Sequence, residues 1–332
     1  MTIIDTSDIN NINYKDNIIK YALLNNDPIE EKLNVVMVIS NPCQYKTRYK
    51  LAKEFITRIL DELYVNLYIV ELIYENQEFY ITDKLNKNHL QIKTKIPLWH
   101  KENMINIGIQ KLLPSDWKAV AWIDADIEFD NPTWALDTLK ILNGTKDIVQ
   151  LYSTCLDMDQ NKLIHKHFNS FGYKYEKKEP YNKNSLNYWH PGFAWACTKK
   201  AYIKMGGLYD FGILGSGDNI MALSLIQNGL KAIPSESTDD YKNTVLLYQD
   251  SIKHLRLGYV PGIIIHYFHG LKVNRQYGTR YKILINHLYS PLLHVTKDKD
   301  GIIIPTSLCP QELIEDIYKY FVERNEDEFN IV

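Results

Sequence analysis

Residues 120–129 read VAWIDADIEF, the end of an apolar run that passes straight into Asp124-Ala125-Asp126. Residues 119–123 (AVAWI) have the unbroken hydrophobicity of a strand buried on both faces. Ligands of open α/β sheets bind beyond the carboxyl ends of such strands, which is where these acids fall. On strict alternation Trp122, Asp124, Asp126 and Glu128 share one face, with Ile123, Ala125, Ile127 and Phe129 on the other. Three carboxylates on one face of a buried strand are costly unless a cation compensates them. Aspartate oxygens are hard ligands, so the pattern asks for Mn²⁺ or Mg²⁺, ions that reach a phosphate-bearing substrate through one or two carboxylates. A D-x-D in isolation is more often a solvated turn; its place between a buried strand and a capped helix favours the metal.

Outward from this stretch the pattern predicts an α/β fold with a mainly parallel sheet. Residues 35–40 (VVMVIS) and 67–72 (LYIVEL) are further strands. Between them, 48–63 carries Leu51, Phe55, Ile56, Ile59, Leu60 and Leu63 at helical spacing, which makes a strand–helix–strand crossover. A helix is expected over 100–113, ended by Pro114, and another over 134–142, between Asn131-Pro132 and Asn143-Gly144. A strand follows at 148–153. From 157 to 188 periodicity is lost, and loops with short antiparallel strands are expected. Regularity resumes over 192–197, and a strand at 263–266 with helices over 199–205, 219–228, 275–288 and 311–324 completes the reading. No repeat or low-complexity linker divides the chain. It reads as a polar N-terminal extension over 1–33, one domain over 34–290 and a C-terminal helical extension over 291–332.

Composition narrows the classes. The 332 residues are 45% hydrophobic and 23% charged, which is globular, and 38 basic against 40 acidic side chains leave a net charge of −2. No basic block marks a nucleic-acid binder. Cys43, Cys155, Cys197 and Cys309 are too scattered for a disulfide framework or a zinc site. No signal peptide and no apolar run of the ~20 residues that span a bilayer is present, so a soluble intracellular protein is expected. Ser40-Asn41-Pro42-Cys43-Gln44 after the first strand excludes the G-x-G-x-x-G of a dinucleotide enzyme, and no P-loop occurs. The sequence does not indicate an oligomeric state.

Four segments, in order, resemble GT-A glycosyltransferases of the inverting family 2 and β-1,4-galactosyltransferase type. They are KENMINIG (101–108), the D-x-D segment at 120–129, the stretch from Gly192 to Asp218 and IIIHYFHGLKVNRQYGTR (263–280). The resemblance implies a GT-A-like (Rossmann-like) fold, Mn²⁺ or Mg²⁺, a nucleotide-diphosphate sugar donor such as a UDP-sugar, and a glycan, glycolipid or protein acceptor. It implies metal coordination by Asp126, with Asp124 nearer the ribose or behind the ligand. A second ligand is implied from His266 or His269. Three apart on a regular strand, these two would face opposite ways and only one could bind, with His269 favoured. Asp218 is implied as the general base, its alternative being a helix cap. Ser40, Asn41, Pro42, Tyr45, Arg48 and Glu71 are implied at the nucleoside and diphosphate, with Lys101 and Asn106 as sugar or nucleotide contacts.

The aromatic content, 12% with 24 Tyr and 6 Trp, is dense around residues 188–195. Tyr188, Trp189, His190, Gly192, Phe193 and Trp195 read as a sugar platform, with Gly217 beside the base, because flat rings stack on the C–H faces of sugars. An inactive scaffold of the same fold that binds a glycan or nucleotide is the alternative reading.

Overall fold

A computed structural model of the chain describes residues 17–181 and 188–328. The start of the N-terminal extension, 1–16, and residues 182–187 of the aperiodic stretch lie outside the described residues. Strands β1 (Leu33–Ser40), β2 (Val65–Tyr74), β3 (His89–Thr94) and β4 (Ala119–Ile123) are followed by β5 (Ile127–Phe129), β6 (Ile148–Gln150), β7 (Thr154–Met158) and β8 (Ile164–Asn169). Then come β9 (Ala194–Thr198), β10 (Leu257–Tyr259), β11 (Ile263–His266) and the hairpin β12 (Val295–Lys297) with β13 (Ile303–Pro305). The large sheet has the order β10-β6-β9-β4-β1-β2-β3, and every neighbouring pair is parallel except the two made by β9. This is the mixed, mainly parallel α/β sheet expected from the sequence.

Alternation along the buried strands explains the layers. Val35, Met37, Ala119 and Ala121 face the helices Lys46–Leu60 and Trp134–Leu142, through Phe55, Ile59, Trp134 and Leu139. Val36, Val70, Val120 and Trp122 face the other way, onto Met104 and Ile105 of helix Lys101–Leu112 and Ile220 and Met221 of helix Gly217–Leu225. Leu313, Ile317, Tyr320 and Phe321 of helix Gln311–Glu323 join this second core. No described helix is long and apolar enough to cross a membrane.

What positions the site is a shared step between sheets. Strands β4, β6 and β10 each leave the large sheet and, after three residues, enter a smaller one as β5, β7 and β11. The small sheet has the order β5-β11-β7-β8, with β11 parallel to β7. Asp124-Ala125-Asp126 is one of the three steps.

Some elements differ from the pattern reading. The helix expected over 275–288 is reduced to Tyr281–Asn286 after a 3₁₀ turn at Val273–Arg275, because Gln276 turns left-handed at φ 47°. Helix Asp239–Ile252 was not predicted, although Thr238 caps it by accepting the Tyr241 N–H, and Tyr241, Val245, Tyr248 and Ile252 are buried at helical spacing. The predicted antiparallel strands after 157 are β7 and β8.

Gly108 shows why a glycine stands in KENMINIG. A Cβ there would lie 2.8 Å from Val70 Cγ2 and 2.9 Å from Val36 Cγ1, so the helix packs its bare backbone on β1 and β2. Gly108→Ala is expected to cost about 1–3 kcal/mol through overpacking. Urea unfolding checks this: the midpoint should fall at unchanged slope, and an unchanged midpoint would refute the close packing.

Candidate metal centre and its cleft

The crossing at Asp124-Ala125-Asp126 opens into a cleft of about 850 Å³, lined also by the β1 loop, Asp218 and the late histidines. The alternation expected through Trp122–Glu128 does not hold. The chain leaves the large sheet after Ile123, where the Asp124 N–H donates to Phe193 O at 2.8 Å, and the Tyr267 N–H then takes Asp126 O at 2.8 Å. The turn sends the three acids to different partners. Asp124 pairs with Lys101 at 2.5 Å, Asp126 faces His269 at 2.7 Å, and Glu128 accepts from the Tyr267 hydroxyl at 2.5 Å.

Asp126, His266 and His269 place ligand atoms within 4.8 Å of one another. Both histidines reach Asp126, not one: β11 ends at His266, so the strand geometry that would separate their side chains stops there. His266 Nε2 is 3.8 Å from Asp126 Oδ2, while its Nδ1 is held by Asp157 Oδ1 at 2.7 Å. Asp157 is the register partner of His266 across β7 and β11, and both are almost fully buried. Donation from Nδ1–H to that carboxylate leaves the lone pair on Nε2, aimed at Asp126.

Two observations fit a divalent ion. Asp126 Oδ1 and His266 Nε2 are buried and have no hydrogen-bond partner among the described residues. His269 Nε2 also faces two incompatible neighbours, Asp126 Oδ2 at 2.7 Å and an Arg275 guanidinium nitrogen at 2.7 Å. One needs a proton on that nitrogen and the other a lone pair. Burial, then Arg275, push the His269 pKa down to about 4, so the ring is a neutral ligand at pH 7. Burial opposes the Asp126 charge, but His269, His266 and Arg275 outweigh it and hold the carboxyl well below the usual range.

Opposite this group lies a second charged cluster. Burial raises the Asp124 carboxyl despite Lys101, and pushes Glu102 up to about 7. Lys101 resists its own burial because Asp124, Asp218 and Glu102 surround it. Asp218 lies in the first turn of helix Gly217–Leu225, at the positive end of the helix. Ser216, not Asp218, occupies the cap position, at φ 71°. Asp218 Oδ1 accepts the Asn219 N–H at 2.7 Å, and Oδ2 abuts the bare Cα of Gly192.

Of the residues singled out in the sequence, the cleft brings together Ser40, Asn41, Pro42, Tyr45, Arg48, Lys101, Asp124, Asp126, Tyr188, His190, Gly192, Phe193, Asp218, His266 and His269. Five do not line it. Glu71 is buried and accepts the backbone N–H groups of Tyr80, Ile81 and Thr82. Asn106 holds Leu208 through its N–H and its carbonyl. Trp189 and Trp195 are core residues, and Gly217 packs on Glu102. Asp157, Lys272, Arg275, Arg324 and Glu326 belong to the site or its wall and were not singled out. Lys272 and Arg275 could have been found as cations just after the His269-Gly270 turn.

The C-terminal residues close one wall. Glu326 pairs with Arg48 at 2.6 Å and with Arg324 at 2.7 Å, and lies 4.0 Å from His269 Nδ1. Asp327 accepts the Lys46 and Thr47 N–H groups at 2.8 and 2.9 Å, capping the helix that carries Arg48. Arg48 is thus committed to a protein carboxylate. Burial opposes the Glu326 charge, and Arg48 and Arg324 overcome it to hold the carboxyl well below its usual range.

Two predictions come from this geometry. Asp157→Asn should weaken Mn²⁺ binding by about 10–100-fold in titration calorimetry by releasing His266, and unchanged affinity would show that Asp157 does not orient the ligand. Glu326→Gln should cost about 3–5 kcal/mol at pH 7, since it strips buried Arg324 and half-buried Arg48 of their shared carboxylate. Because the folded carboxyl is depressed, this contribution is complete above the unfolded pKa of about 4.3 and drains away as the pH falls toward the folded value. The variant and the parent should therefore converge in urea-unfolding stability at acid pH, and a gap that persists there would contradict the pairing.

No protein-family model matches the sequence, and no curated protein matches it. Among solved structures the chain is similar to the catalytic domain of Drosophila beta-1,4-galactosyltransferase 7 in complex with xylobiose, at 11% identity and a TM-score of 0.33, over 60% of this chain and 63% of that one. The chain thus spans less than two thirds of that structure. It is also similar to the mannosyltransferase PcManGT from Pyrobaculum calidifontis in complex with GDP-Man and Mn²⁺, at 11% identity and a TM-score of 0.41, over 82% of this chain and 71% of that one. A third similarity is to 4-diphosphocytidyl-2C-methyl-D-erythritol synthase from Anaerococcus prevotii, at 11% identity and a TM-score of 0.31, over 88% of this chain and 98% of that one.

Proposed function

We propose that the chain is a metal-dependent glycosyltransferase that moves a sugar from a nucleotide-diphosphate donor, a UDP-sugar, to an acceptor hydroxyl with inversion. The observation that carries this reading is the Asp126, His266 and His269 group with its unpartnered buried atoms, set in a cleft whose opposite side presents Asp218. Two imidazoles with one carboxylate suit Mn²⁺ better than Mg²⁺. These three residues would hold the ion, which would supply Lewis-acid charge for a departing diphosphate.

The chain's own residues do the rest. Lys272 and Arg275 line the cleft beside the histidines and bind phosphate oxygens. Asp218 takes the proton of the acceptor hydroxyl. That oxygen bonds to the anomeric carbon from the face opposite the diphosphate, which departs with the electron pair of the broken C–O bond. Lys101 holds Asp124 back from the ion, at the ribose side. Residues 34–290 carry the reacting groups, and the extension at 291–332 braces them through Glu326.

Nucleoside-diphosphate release from a panel of sugar nucleotides, with Mn²⁺ and with chelator, tests the reading. Metal-dependent release is expected; no release and no metal-dependent nucleotide binding would leave a binding module instead. Asp126→Ala should lose metal-dependent donor binding. Asp218→Asn should keep it while transfer falls by about 10²-fold or more. Near-normal transfer in Asp218→Asn would remove the base assignment, and a product with the anomeric configuration of the donor would exclude inversion.

A further inference from the structure

His190 is a cleft residue with hydrogen-bonding capacity that the proposed reaction leaves unused. Its ring stacks on Phe193 at 4.4 Å and 12° and lies beside Phe168 at 4.6 Å and 29°. Rotation within that aromatic cluster is fixed by Nδ1, which accepts the Gly192 backbone N–H at 3.2 Å and lies 3.3 Å from the Tyr152 hydroxyl. A ring nitrogen that accepts an amide N–H carries the lone pair, so the proton of the neutral imidazole is on Nε2. Burial, then His266 and Lys272, push the His190 pKa down to about 3, which keeps the ring neutral. Nε2 has no hydrogen-bond partner among the described residues, and the residue lines the cleft.

Gly192 supplies the second half of the geometry. The point where its Cβ would sit is 3.0 Å from Asp218 Oδ2 and 3.0 Å from His190 Cε1. The Asp218 carboxylate and the His190 ring therefore flank the bare Cα of Gly192, at an approach that a side chain there would not allow.

Building on the transferase reading above, we propose that His190 is an acceptor-binding residue. Its Nε2–H donates to the oxygen next to the hydroxyl that Asp218 deprotonates, so the site selects sugars presenting a vicinal diol. The pairing fits a diol: one oxygen gives up its proton to Asp218 and attacks, and its neighbour receives a hydrogen bond. His190 keeps its proton throughout, and the remaining bond changes are those of the transfer step.

Two variants separate the donor from the ring. His190→Phe keeps the aromatic contacts with Phe193 and Phe168 and removes the N–H, whereas His190→Gln returns an amide N–H near Nε2. The assay follows nucleoside-diphosphate release with Mn²⁺ from whichever sugar nucleotide the parent cleaves fastest. It is run in water alone and with monosaccharides or their monodeoxy counterparts as acceptors. His190→Phe should raise the acceptor KM about tenfold, the size of one lost hydrogen bond, while the donor KM moves far less. Preference for the intact diol should vanish with it and return in part in His190→Gln. An unchanged acceptor KM, or a raised donor KM in its place, overturns the proposal. A parent that releases no nucleoside diphosphate from any donor overturns the transferase reading instead. Long-range ¹⁵N NMR of the parent at pH 7 tests the tautomer independently of turnover: a protonated Nε2 is expected, and a proton on Nδ1 overturns the proposal.

Discussion

The end of β4 at Ile123 is the constraint on which the site depends. Five buried residues bring the chain to the carboxyl edge of the large sheet, and three residues later it must pair with β11 in a different sheet. The turn between them has to satisfy its backbone groups on the way, which it does through Phe193 O and the Tyr267 N–H. With the backbone fixed at both ends, the side chains of Asp124 and Asp126 have separate destinations. The parallel steps at β6 to β7 and β10 to β11 deliver Asp157 and His266 to the same place, as direct partners in the small sheet.

Charge around this turn is arranged as alternating partners rather than as an acidic patch. Lys101 holds Asp124, Asp157 holds His266, and Glu326 joins Arg48 to Arg324. Each pair removes charge from water at a cost, and losing Glu326 would leave buried Arg324 unpaired. Asp126 is the exception, with one oxygen lacking any partner among the described residues. A chain of net charge −2 thus carries one buried carboxylate oxygen without a partner among the described residues, at a point whose ligand atoms fit a divalent ion.

Much of this was legible in the sequence. The β-branched runs gave the sheet, and the acids after 119–123 placed the cleft at the strand ends, because local hydrophobic periodicity reports burial directly. The strict alternation drawn through Asp124 and Asp126 failed because periodicity carries no sign of a strand changing sheets. Asp157 was invisible for a related reason: its role depends on pairing with a strand 109 residues later. Glu326 could not be found from its neighbours alone either: Arg324 is close in sequence, but Arg48, its other partner, lies 278 residues away. Glu71 and Asn106 have the polarity of ligand contacts, but the interior uses that polarity to hold loops, a choice set by tertiary packing.

The measurement that tests the central claim most directly is pulsed electron paramagnetic resonance on the Mn²⁺-loaded protein with ¹⁵N-labelled histidine. Two directly coordinated imidazole nitrogens, one lost in His266→Ala and the other in His269→Ala, are the result predicted by the Asp126, His266 and His269 centre. Mn²⁺ bound with no histidine nitrogen in its coordination shell would contradict it.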